Sequence, residues 1–178
     1  MNTLSTYHRT FAEYNSWANE TIIAAILQMP DDEYYRPIFP KSLSIHQILN
    51  HMLVVDKVWL GEVRQVDVGI ASGTQILHET KHAYINDRRA VDIEIAELVD
   101  QLTARDLKSV VRYDEPQDGF QEWPMMLEVA HVFRHQIHHR GQISILMQNS
   151  SIEAPKLDSL FLPQNVKANS VAPRARVS

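Results

Sequence analysis

The sequence predicts an all-α protein, a four-helix bundle with a short hairpin before its last long helix. Three observations carry this expectation. Apolar residues recur at helical spacing through four long segments. Glycine is scarce, 5 in 178 residues, which disfavours an all-β chain of tight turns. One stretch alone, near residues 109–123, is β-branched and punctuated by a turn signal.

Residues 4–28 read as the first helix, with Leu4, Phe11, Tyr14, Trp17, Ala18, Ile22, Ala25 and Ile26 in register. Pro30 and the turn-forming Asp31-Asp32 end it, and residues 33–43, with Pro37 and Pro40, read as a connection. Residues 45–65 form the second helix, opened by a capping box of Ser44 and Gln47. Ile48, His51, Val55, Val58, Trp59 and Glu62 share one face, which is expected to point into the bundle. Gly69 and Gly73 mark a loop over residues 66–75. A third helical pattern spans residues 76–104 through Ile93, Ile95, Ala96, Leu98, Val99 and Leu102. Its beginning, residues 77–86, is weaker and reads as a separate turn. The hairpin follows as Ser109-Val110-Val111-Arg112-Tyr113, a turn at Asp118-Gly119, then Phe120 and Trp123. Pro124 suits the first turn of a fourth helix over residues 124–149. Leu157, Leu160, Phe161 and Leu162 are expected to pack back on the bundle. These elements make one domain, residues 1–162. The polar stretch 163–178, with Lys167, Arg174 and Arg176, reads as a disordered tail.

Composition removes several functions. With no cysteine there is no disulfide, no thiolate zinc site and no cysteine nucleophile. A net charge of −5 argues against nucleic acid as a partner. No apolar run approaches the roughly 20 residues that cross a bilayer, and no leader pattern precedes Leu4. The expectation is a cytoplasmic protein without a membrane partner.

What stands out is histidine. There are 9, and His131, His135, His138 and His139 fall within one helix. Residues at i and i+4 differ by only about 40° around a helix, so His135 and His139 point the same way. That spacing offers two imidazoles to one metal ion. Glu128, His131, His135, His139, Gln142 and Leu146 form one stripe, while Met126, Phe133, Ile137 and Met147 lie opposite. The stripe is expected to face an internal cavity, and the apolar back another helix or a second subunit. Spacing leaves alternatives open. His131 pairs with His135 as well as His139 does, and His138 lies about 60° from His135. His51 reads either as a third ligand or as a hydrogen-bonded core histidine.

The ordered segments Tyr14-Asn15-Ser16-Trp17-Ala18-Asn19, Asn50-His51-Met52-Leu53 with Asp56 and Trp59, and His135 through Gln142 resemble the DinB / YfiT-like metalloenzyme superfamily. The likeness covers nearly all of residues 3–162. It implies a four-helix bundle, frequently a homodimer. It implies a divalent metal ion (nickel, zinc or iron-like) held by His51, His135 and His139, which selects His139 over its neighbours. Relatives of known activity are thiol-dependent S-transferases or isomerases, so the resemblance implies a small-molecule substrate and a low-molecular-weight thiol that the metal activates. A non-catalytic, damage-inducible metal-binding protein is the competing expectation. Glu128, His131 and Gln142 are expected to contact the ligand histidines or the substrate. Gly141 is expected to allow close helix packing, and Arg140 to form an ion pair.

Overall fold

The computed structural model describes residues 3–115 and 119–163. The polar stretch after Pro163, and Asp118 of the expected turn, lie outside the described residues. Five helices and a two-stranded ribbon follow in order: α1 (Thr3–Gln28), α2 (Asp31–Tyr35), α3 (Ile45–Arg64), α4 (Lys81–Gln101), β1 (Val110–Glu115), β2 (Gly119–Pro124) and α5 (Met125–Met147). The expected all-α bundle with its hairpin is therefore present. The four long helices close a ring in which α1 packs on α4 and α5, and α3 packs on the same two. No helix among the described residues is long and apolar enough to cross a membrane.

The ends of these helices follow from local chemistry. Ser44 and Gln47 form the capping box: Gln47 N–H donates to Ser44 Oγ at 3.2 Å, and Ser44 N–H donates to Gln47 Oε1 at 2.9 Å. Thr80 caps α4 by accepting from the Ala83 amide. That cap moves the start of α4 to Lys81 and makes residues 81–86 part of it, not a separate turn. Tyr84 and Ile85 are buried there, so tertiary packing overrides the weak local pattern. Ile93, one of the apolar residues of that helical pattern, is 59% exposed. The acidic run at residues 31–33 opens the short α2 where a bare connection was expected. In the ribbon, Tyr113 pairs with Gln121 and Glu115 with Gly119. Gly119 takes φ = 72°, a left-handed turn conformation that glycine adopts without strain.

Two helical faces differ from expectation. On α3 the side turned to the bundle centre is Ile45, Leu49, Met52, Leu53, Asp56 and Leu60, all buried. The stripe through His51, Val55, Val58 and Glu62 is half-buried and faces sideways. The more continuous apolar stripe takes the core, because it removes more apolar surface from water. On α5 the core face is Val129, Val132, Phe133, Gln136, Arg140, Ile143 and Met147. The predicted apolar back therefore splits: Phe133 and Met147 are buried, whereas Met126 and Ile137 stay 38% and 42% exposed beside Leu127 and Ile145. Gly141 faces open space among the described residues, so it serves no close packing.

A charged network lies inside the bundle. Arg88 of α4 is wholly buried and pairs with Asp56 of α3 at 2.7 Å and with Asp92, one turn on, at 2.8 Å. Asn15 and Asn19 of α1 donate to Asp92. Arg140 of α5 donates to the side-chain oxygens of the same two asparagines, at 2.7 and 2.9 Å. Gln136 donates to Asp56 at 2.8 Å. The ion pair expected for Arg140 is thus a cage of neutral amides, with the Tyr14 ring 5.4 Å from its guanidinium carbon. Burial raises the Asp92 carboxyl to about 6 against the pull of Arg88. Breaking such a buried pair from one side leaves uncompensated charge and costs about 3–5 kcal/mol. Arg88→Met should therefore lower the urea midpoint by that equivalent, while Arg89→Ala, which removes the exposed ion pair to Glu20, should leave it nearly unchanged. Equal midpoints for the two variants would contradict the structural role given to Arg88.

Candidate metal centre

The imidazoles of His51, His135 and His139 meet where α3 packs on α5. His135 Nε2 lies 3.2 Å from His51 Nε2 and 3.0 Å from His139 Nε2. The three ligand atoms all fall within 4.8 Å of one another, a group that could hold a metal ion. Tetrahedral nitrogen ligands at about 2.0–2.1 Å from zinc stand roughly 3.3 Å apart, so the observed spacing is close to what an ion needs.

Each ring is oriented from behind. His51 Nδ1 is 2.7 Å from the Gly73 carbonyl, which can only accept, so Nδ1 carries the proton and Nε2 presents a lone pair. His139 Nδ1 donates to Gln142 Oε1 at 2.7 Å, with the same result. Gln142 Nε2 in turn lies 3.3 Å from His138 Nε2. His135 Nε2 therefore faces two lone pairs, and a single ring proton satisfies only one of them. His135 Nδ1 is buried with no partner. Burial, reinforced by His139 and His51, pushes His135 down to about 3, and burial also lowers His139. Both rings stay neutral at physiological pH, the form that binds metals.

The support for His51 begins one residue earlier. Asn50 is fully buried, and its Oδ1 accepts from the amides of Leu77 and His78, both at 2.9 Å. Its Nδ2 donates to the carbonyls of His46 and His78. This pins the loop after α3, which carries Gly73. In the sequence, Asn50 stands out only as part of the Asn50-His51-Met52-Leu53 segment. The signal available was an amide on the apolar core face of a helix, where it must find partners.

Beside the three rings lies a cavity of about 530 Å³, lined by Val54, Val55, Val58, Trp59 and Glu62 of α3, the loop from Ile70 to Gly73, Tyr113 and Asp114 of β1, and Glu128 and His131 of α5. The three rings are not among its walls, but Gly73 and His131 border both features. Of the three polar neighbours expected at the site, Gln142 alone touches a candidate ligand. Glu128 and His131 face the cavity instead, and the His131 ring is 5.9 Å from that of His135. His138 is exposed, with its Nε2 near Gln142 and its ring edge-on to His139 at 4.9 Å between centroids.

The DinB family profile matches residues 1–168. A curated relative, Protein DinB of Bacillus subtilis (strain 168), is 23% identical over 164 residues, covering 88% of this chain and 95% of that protein. Among solved structures, a DinB-like protein from Bacillus cereus ATCC 10987 is similar with a TM-score of 0.64 at 18% identity, over 80% of this chain and 90% of that one. This second likeness is one of fold.

The ring orientations can be read without any ligand. Long-range proton–nitrogen NMR correlation at neutral pH should find His51 and His139 protonated at Nδ1. Protonation at Nε2 in either residue would contradict the described hydrogen bonds.

Proposed function

Since the chain belongs to the DinB family, we propose that His51, His135 and His139 hold one divalent metal ion that activates a small nucleophile for a substrate seated in the adjoining cavity. The observation that carries this reading is the convergence of three imidazole Nε2 atoms, two of them on rings whose Nδ1 is held by Gly73 and Gln142. Three nitrogen ligands leave a coordination position open, the arrangement of catalytic rather than purely structural sites. A bound divalent ion lowers the pKa of a water or thiol and so supplies a nucleophile near neutral pH.

The chain's own groups have separate tasks in this reading. Gly73 and Gln142 hold the rings in their ligating tautomer. The valines and Trp59 keep one side of the cavity dry. Burial raises the Glu128 carboxyl, so it is suited to accept a proton from substrate. With no cysteine in the chain, a thiol nucleophile has to enter as a low-molecular-weight cosubstrate. In a second reading the ion only staples α3 to α5, and its support is that His51 and His135, 84 positions apart in sequence, come from two packed helices.

His135→Ala, purified without an affinity tag, should retain almost no metal by elemental analysis, and a full equivalent retained would sink the ligand assignment. Gln142→Leu should keep the ion but bind it about 10–100-fold more weakly. Adding small thiols to the cobalt-substituted protein should shift its visible spectrum if the open position takes a thiol. An unchanged spectrum, together with a marked loss of thermal stability on chelation, favours the staple.

A further inference from the structure

The cavity beside the three histidines has a chemical bias of its own. Val54, Val55, Val58 and Ile70 give it an apolar wall. Trp59 belongs to that wall. It is 2% exposed, and its Nε1–H is buried with no acceptor among the described residues. Glu62, Glu128 and Asp114 bring carboxylates to the same space, and none of the described lining residues is lysine or arginine. Its one basic ring, His131, is exposed.

Glu128 is the unusual member. It is 6% exposed, yet its Oε1 accepts only a long 3.4 Å bond from the Tyr113 hydroxyl and it has no ion-pair partner among the described residues. A carboxylate that deep ordinarily holds a paired cation. Desolvation accordingly raises its carboxyl, partly countered by His131 and Tyr113. A buried carboxylate without a paired cation thus lines an otherwise largely apolar space.

We propose that this cavity binds a small amphipathic amine, its apolar body against Trp59 and the valines and its cationic N–H group on Glu128 and Asp114. The inference rests on reading the cavity as the substrate site, and it narrows the substrate class: an amine or aminothiol is accepted, and a carboxylate-bearing molecule meets like charge in a partly desolvated space. The volume suits such a ligand, since small-molecule sites run to about 300–1,000 Å³.

The test compares phenethylamine, phenethyl alcohol and phenylacetate, which share a ring and differ in head group, by ligand-observed NMR titration of the full chain. The amine should bind about tenfold more tightly than the alcohol, and the carboxylate more weakly than either. Glu128→Gln should bring the amine down to the alcohol and leave the alcohol unchanged. Asp114→Asn, at an exposed position and so safe for folding, should reduce the amine preference by a smaller factor. Equal binding of all three, binding of none, or a preference undiminished in both variants would overturn the proposal. Repeating the series in His135→Ala separates the two readings. An amine preference there, in a variant that binds as much metal as the parent, leaves this proposal standing and the ligand assignment failed. Loss of the preference in a parent chain that does bind metal overturns this proposal alone.

Discussion

The bundle is organised around a guanidinium that has no access to water. Arg88 sits between Asp56 and Asp92, and the surrounding amides extend that contact to all four long helices. Apolar packing alone tolerates small rotations and slides of one helix on another. A buried ion pair does not, because each lost contact leaves charge in a low-dielectric interior. The network therefore sets register and rotation more sharply than the methyl groups around it. Its charges balance, two arginines against two aspartates, which lets them share one interior.

That constraint reaches the histidines through the order of residues on α5. Gln136 follows His135, and Arg140 follows His139. Consecutive residues on a helix differ by about 100° in direction. When Gln136 and Arg140 are held inside by Asp56, Asn15 and Asn19, the neighbouring imidazoles are turned to the side, toward α3. On α3 the same logic holds, since Asn50 and Met52 flank His51 and both are buried. Three rings thus meet because residues beside them in sequence are fixed elsewhere.

This explains which features the sequence made legible. The helix over Ile45–Arg64 was readable because its capping box and its apolar period agree locally. Spacing marked His135 with either His131 or His139 as its partner, and the resemblance was needed to select His139. Asn15, Asn19, Asp56 and Arg140 were visible only as letters in a resemblance. Their partners Arg88 and Asp92 were not singled out at all. A buried arginine on a helix reads in sequence like a solvated one, because its burial is decided by Asp56, 32 positions before it, and by amides around that pair such as Gln136, 48 positions after it. The start of α4 was misread for a related reason. Tyr84 and Ile85 are core residues by virtue of what packs on them, and the local period over residues 77–86 does not carry that information.

The charges around the candidate centre divide into two zones with opposite requirements. The rings are held by a carbonyl and a carboxamide, both neutral, where a carboxylate is a common partner for a ligating histidine. Imidazole ligands, two of them with neutral supports, would leave a divalent ion its full charge. That arrangement favours an anion at the open position and lowers the pKa of whatever binds there. The compensating carboxylates stand instead across the cavity, at Glu128 and Asp114. A reacting pair that fits both zones is an anionic nucleophile at the histidines and a cationic or neutral substrate among the acids. Reversing the two would place an anion against Glu128, which already lacks a cation, and a cation against an ion whose charge no ligand offsets. In the proposed function, the separation of the three imidazoles from the acidic walls would orient the reacting groups before any substrate is named.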